Sequence, residues 1–316
     1  MKPVLFASTK PLERAENIHT LLDAYDGEKA FVQVNPWRRH EAITSGDYGL
    51  MVIDEYPTMS PGKCIMIDHG IAGGKTAGLH QPHPYFRAEQ AALIDAIVIS
   101  GTGMRSKRAL SSNLPEEAIL PLGMPRTDCF KTSRKGDGGT VLAGKRSYLY
   151  VPTFRADEET PLPEIDWEWL DGQLTDGELF AVKPHTMTGR ILGREYRHIV
   201  EIEPYIPSSA YLIDCDVVVT DYSSIMFDGY LLKKPAVLLE KQPGYTETRG
   251  MYLDYPGQYC SRYCTNEREM LKLVREAEHL TVTEYGVLRF VADSCDGHAT
   301  ERVCDLIRRM NEGETA

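Results

Sequence analysis

Three short stretches carry side chains able to move a proton or hold a phosphate. In the first, Cys64 to Asp68 reads as a strand that runs straight into His69-Gly70. In the second, Leu179 to Lys183 reads as a strand followed by Pro184-His185, with Arg190 close behind. In the third, the β-branched run Val217-Val218-Val219 ends in Thr220-Asp221-Tyr222-Ser223-Ser224, and a helical pattern follows. Histidine is the side chain best tuned to exchange a proton near neutral pH. Lysine and arginine neutralise a leaving phosphate. Small polar residues at a helix start lie beside free backbone N–H groups, which suits an anion. On this pattern Asp221 is the expected N-cap, with Ser223 and Ser224 in the first turn.

Other spacings point elsewhere and are weaker. Gly70 to Thr76 reads G-x-x-x-G-K-T around Lys75, one residue short of the P-loop cradle, whose length sets how its N–H groups wrap a phosphate. Asp214-Cys215-Asp216 has the D-x-D spacing of some metal-dependent transferases, but it precedes a buried strand instead of following one. Its carboxylates are expected as turn caps, and no metal site is expected. Tyr245, Arg249, Tyr252 and Tyr255 share a loop that suits either a base or phosphate contact or simple packing.

The elements that must position these groups alternate strand and helix along 316 residues. Strands are expected at 3–8, 30–34, 48–54, 64–68, 96–100 and 118–122. After a glycine-rich, charged stretch at 131–146, read as a linker, they resume at 148–153, 179–183, 199–203, 217–219 and 236–239. Helices are expected at 11–25, 86–93, 106–110, 267–278 and 300–310. Such alternation predicts α/β architecture with mostly parallel sheets. Two Rossmann-like domains are expected, at 1–135 and 145–316, with the last helix able to pack back on the N-terminal domain. Ligands bind beyond the carboxyl ends of parallel strands. His69, His185 and the Asp221 to Ser224 stretch are therefore expected across one cleft.

The net charge of −11 argues against a nucleic-acid partner. No run approaches the length of a membrane-spanning helix, and the first residues do not read as a signal peptide. Seven scattered cysteines read as reduced thiols of a cytosolic protein.

Several stretches taken together resemble the CDP-glycerol glycerophosphotransferases of teichoic-acid synthesis. The closest is Thr220-Asp221-Tyr222-Ser223-Ser224-Ile225-Met226-Phe227-Asp228, with Lys234-Pro235 after it. His69-Gly70, Gly123-Met124-Pro125-Arg126-Thr127-Asp128, Tyr150-Val151-Pro152-Thr153-Phe154-Arg155 and Lys183-Pro184-His185 fall in the family's order. So do Arg249-Gly250, Pro256-Gly257 and Asp296-Gly297-His298-Ala299-Thr300. After His69 the chain is richer in glycine than the family's usual His-Gly-Thr-Pro.

The resemblance implies a GT-B fold and no metal or other cofactor. It implies transfer of a polyol phosphate from CDP-glycerol, or a close CDP-polyol, to a hydroxyl acceptor (a polymer, lipid-linked or soluble glycan), with release of CMP. His69 and His185 are then the expected catalytic residues. Asp221, Ser223, Ser224, Arg190, Lys183, Arg155, Asp228 and Gly70 are the expected substrate-binding residues. The expected location is cytoplasmic, or peripheral at the inner face of the cell membrane through a partner. The alternatives are a GT-B nucleotide-sugar glycosyltransferase or epimerase, and a non-catalytic nucleotide-binding protein.

Overall fold

The computed structural model describes residues 2–35, 43, 47–55, 57–68, 70–71, 88–153, 164–186, 188–241, 251 and 253–316. The chain divides into two compact units. One comprises 1–131 with 289–316, and the other 132–288.

The first unit holds a six-stranded sheet in the order β2-β1-β3-β4-β5-β6. Its strands are β1 (Val4–Ser8), β2 (Lys29–Gln33), β3 (Leu50–Ile53), β4 (Lys63–Ile67), β5 (Ala96–Val98) and β6 (Ile119–Leu120). All pairings are parallel. The helices are α1 (Glu16–Ala24), α2 (Ala88–Ala91) and α3 (Arg105–Ser112).

The last helix of the chain, Ala299–Asn311, belongs to this unit. Its first N–H groups, on Ala299 and Thr300, donate to the Asp128 carboxylate at 3.0 and 2.7 Å. A helix start leaves such donors unsatisfied, and Asp128 supplies the missing acceptor from far away in sequence. Gly123 has φ +90°, and a Cβ there would sit 2.2 Å from the Ser294 carbonyl. Glycine is required at that approach. The Gly123 to Asp128 and Asp296 to Thr300 stretches are thus one structural joint.

The second unit holds the sheet β12-β11-β10-β7-β8-β9, again wholly parallel. Its strands are β7 (Arg146–Val151), β8 (Glu178–Val182), β9 (Ile199–Glu201), β10 (Val217–Thr220), β11 (Ala236–Leu239) and β12 (Tyr263–Cys264). Every residue of β8, β10 and β11 is buried. Continuous apolar runs are what a parallel sheet covered on both faces demands.

The helices here are α4 (Trp167–Gln173), α5 (Ser209–Asp214), α6 (Ile225–Leu231) and α7 (Glu267–Glu276). α8 (Val282–Val291) crosses the boundary between the units, and Ala299–Asn311 is α9. One face packs Tyr150, Phe180 and Trp167 with ring centroids 6.3 Å apart. Tyr150 and Phe180 are buried, and each such ring removes enough apolar area to contribute roughly 2–3 kcal/mol. α6 lies close on β10: a Cβ on Gly229 would meet Val218 Cγ2 at 2.8 Å.

The stretch 131–146, expected as a linker, is built into the second unit from 132 onward. The Asp214 carboxylate, at the end of α5, accepts the N–H groups of Gly136, Gly138 and Thr140 and the Thr140 hydroxyl. Burial pushes the Asp214 pKa up, but these donors outweigh it and hold the group below its ordinary value. The other D-x-D carboxylate, Asp216, accepts the Ser147 N–H at 2.8 Å and pairs with Lys135 at 2.5 Å. The spacing therefore serves as two turn anchors.

Candidate functional site

Counted from β7, the second sheet runs 3-2-1-4-5-6 in reverse, which is the doubly wound order. Its topological switch lies between β7 and β10. Chain leaving these two strands diverges to opposite sides and opens a crevice at their carboxyl ends. Two hydrogen bonds fix the rims of that crevice. The Thr220 hydroxyl donates to the Val151 carbonyl at 2.6 Å. The Thr153 N–H donates to Asp221 Oδ1 at 2.8 Å.

Asp221 differs from its expected role as N-cap. It is fully buried, and Oδ1 also accepts the Tyr222 N–H at 2.6 Å. It holds the end of β10 to the end of β7, and the cap position of α6 falls to Ser224, which makes no side-chain cap bond. The reason is reach: Asp221 precedes the helix by four residues, while Thr153 is adjacent across the parallel ladder. Ser223 and Ser224 are half-buried at the lip, and Ser223 Oγ accepts the Ile225 N–H at 3.4 Å. Asp228 sits one turn along α6 and is buried.

On the neighbouring strand end, Lys183 is buried and its ammonium donates to the carbonyls of Pro204 at 2.7 Å and Pro184 at 3.3 Å. It ties the turns after β8 and β9 together. His185 is exposed just beyond, in a turn closed by the Thr188 N–H donating to its carbonyl at 2.9 Å. Arg190 is exposed and pairs with Glu203. Thus Lys183, His185, Asp221, Ser223 and Ser224 lie along the carboxyl edge of one sheet. His69 and Arg155 lie outside the described residues, as do Lys75, Tyr245, Arg249 and Tyr252. Gly70 is half-buried in the first unit, next to buried Ile71. There Asp68, at the end of β4, accepts Arg108 Nη2 at 3.1 Å.

A cluster of tyrosines completes the edge. The Tyr222 ring packs 5.0 Å from Tyr255, which packs 5.7 Å from Tyr259. The Tyr255 hydroxyl donates to the Asp221 carbonyl at 3.4 Å. Beyond β11, Glu240 accepts the Tyr222 hydroxyl on one oxygen and the Tyr263 hydroxyl on the other, the latter at 2.5 Å. Burial, then the hydrogen bond to Glu240, pushes the Tyr263 hydroxyl up to about 12. Burial and the Glu240 charge likewise raise Tyr255. Sequence reasoning passed over Glu240. Its signal was available: a carboxylate directly after a buried strand, in the position Asp221 holds after β10.

The profile of a family described as CDP-Glycerol:Poly(glycerophosphate) glycerophosphotransferase matches residues 55–309. The chain belongs to this family. Among relatives of the glycerophosphotransferase family, it is 24% identical to a teichoic acid poly(ribitol-phosphate) polymerase of Bacillus spizizenii, over 84% of this chain and 47% of that protein. It is 27% identical to a teichoic acid glycerol-phosphate transferase of Staphylococcus aureus, over 62% of this chain and 55% of that protein. The chain thus spans about half the length of the curated relatives it matches. In structure it is similar to the wall teichoic acid polymerase TagF, with TM-score 0.76 at 17% identity, covering 98% of this chain and 89% of that one. One TagF structure is of a variant soaked with CDPG. The likeness gives the fold: two parallel six-stranded α/β sheets of GT-B type.

Proposed function

We propose that this chain transfers a polyol phosphate, glycerol phosphate in the first instance, from a CDP-polyol to an acceptor hydroxyl in the synthesis of a cell-surface polymer. The observation that carries the reading is the doubly wound switch point of the second unit. There the segment that leads into Ser223 and Ser224 is tied to the end of β7 by the Thr153 N–H on Asp221. Family membership and the CDPG soak of TagF support the choice of donor.

In this reading the second unit binds the donor and the first takes the acceptor. The acceptor oxygen attacks the phosphorus that bears the polyol. Its proton passes to His69 as general base. The bond from that phosphorus to the bridging oxygen breaks, and CMP leaves with the electron pair. His185, with Arg190, stabilises the growing charge on the bridging oxygen. Ser223 and Ser224 hold the phosphates, and Arg155 and Asp228 add donor contacts. Gly70 belongs to the substrate-binding residues. Lys183 acts on the donor through the turns it ties together. Charge stabilisation by fixed groups is the main work in such a transfer. Among the described residues no helix is long and apolar enough to cross a membrane. The acceptor is a polymer, lipid-linked or soluble glycan, met at the inner face of the membrane or in the cytoplasm.

The test is release of CMP or UDP from CDP-glycerol, CDP-ribitol and UDP-sugars over a panel of hydroxyl acceptors. CMP release from a CDP-polyol is expected, and His69→Ala should lower it by roughly 10²-fold or more. Turnover of UDP-sugars alone, or a folded His69→Ala protein with near-native CMP release, would overturn the reading.

A further inference from the structure

The loop from Asp221 to Ser224 is held from two sides. From β7 the hold is the Thr153 N–H on Asp221. From the other side it is Glu240, the first residue past β11, which accepts hydroxyls from Tyr222 and Tyr263. Tyr222 is the residue between Asp221 and Ser223, and it is 1% exposed. Any motion of its ring is therefore passed on to the serine backbone one peptide away.

Glu240 is an expensive choice if only stability were at stake. A carboxylate at a half-buried strand end loses hydration, and an apolar side chain there would not. Its backbone place is already fixed, since the Glu240 N–H donates to the Cys264 carbonyl at 2.9 Å. Nor is it suited to touch a diphosphate, which its charge would repel. Both of its oxygens already accept O–H···O bonds from tyrosines. The raised Tyr263 hydroxyl stays protonated, and so remains a donor, throughout the neutral range.

We infer that Glu240 is a positioning residue for the donor site: by anchoring Tyr222 to Tyr263 it fixes the Ser223 and Ser224 hydroxyls, and it sets donor affinity without touching the donor. This rests on the reading of the second unit as the CDP-polyol site. Tyr222 is the transmitting side chain, and Tyr263, on the edge strand β12, is the fixed post.

The test is a double-mutant cycle read by calorimetric titration of CDP-glycerol. Glu240→Ala and Tyr222→Phe should each raise Kd by about tenfold while the Tm stays within about 2 °C. The double variant should be no more than about twofold weaker than either single one, because both act on one contact. Glu240→Gln keeps an acceptor oxygen and should recover most of the loss. The KM for acceptor should not move. Single effects that multiply to about a hundredfold overturn the inference, because Glu240 would then act by another route. So does a Glu240→Ala protein with native Kd. If Glu240→Ala does not fold, Tyr263→Phe takes its place in the same cycle. Failure of the native protein to bind CDP-glycerol or CDP-ribitol overturns the donor reading and this inference together. Native binding that is indifferent to Glu240 overturns the inference alone.

Discussion

The two ends of the second sheet use the same side chains for different ends. At the amino end, Glu178 opens β8 and accepts both Arg275 Nε at 2.9 Å and Nη2 at 2.7 Å, and the Tyr148 hydroxyl at 2.7 Å. At the carboxyl end, Glu240 follows β11 and accepts two tyrosine hydroxyls. The first arrangement neutralises its charge with a bidentate guanidinium. Asp216 with Lys135, and His198 with Asp176 at 3.1 Å, lie at that same end. The second arrangement arranges donors around a loop and leaves its charge to the tyrosines. Charges at the amino end pair with one another, and at the carboxyl end the Glu240 carboxylate holds a loop through two hydroxyls. An ion pair suits the first task because it locks two elements together. Hydroxyl contacts suit the second because they orient a side chain.

The contrast can be broken most directly at His185. It is exposed, so His185→Ala should leave the Tm unchanged while lowering CMP release by roughly 10²-fold or more. A fall in Tm with turnover retained would place His185 with the structural group. The converse substitution is Glu178→Gln. It breaks a bidentate pair whose arginine is part-exposed, and should cost about 2 kcal/mol in urea unfolding while turnover per folded molecule stays native. Loss of turnover without loss of stability would erase the distinction between the two ends.

The same carboxylate sharpens the comparison through pH. The Arg275 guanidinium, helped by the Tyr148 hydroxyl and opposed by burial, holds Glu178 at about 2. An unfolded glutamate titrates near ~4.3. A folded-state pKa below the unfolded one means the stabilisation is fully present above ~4.3 and is lost as the pH falls toward about 2. The gap in urea midpoint between native protein and Glu178→Gln should therefore close over that window and stay constant from pH 5 to 8. A gap that opens as the solution becomes acid would refute the assignment. The smallest effect is expected at Gly229→Ala, where the added methyl meets Val218 Cγ2 on β10. It should cost about 1 kcal/mol by overpacking. A larger fall in donor affinity than in stability would show that the set of α6 against β10 controls the serine lip.

The alternation of apolar runs made the sheets legible, because a parallel strand buried on both faces needs little context. Val217 to Val219 could be read as a strand from its three residues alone. The sequence was poorer where tertiary contacts make the structure. β12 is two residues long, and it exists because Leu238 and Leu239 supply the ladder. α8 mixes valines, a glycine and Glu284. Its first turn is fixed by buried Glu284 accepting Arg262 Nη1 at 2.8 Å and the Ala236 N–H at 3.3 Å. The candidate site was legible as a set of strand ends, and Asp221 lies there for a different local reason than a helix cap. Its bond to Thr153 joins residues 68 apart, and helix-cap spacing carries no trace of such a partner. Glu240 escaped notice for a similar reason, since its tyrosines come from two other segments.

The central claim is that the lip formed by Ser223 and Ser224 holds the donor phosphates. Titration of CDP-glycerol into native protein and into the Ser223→Ala/Ser224→Ala double variant tests it most directly. A Kd raised by about tenfold or more, with an unchanged Tm, is the predicted result. A native Kd in the folded double variant would contradict it.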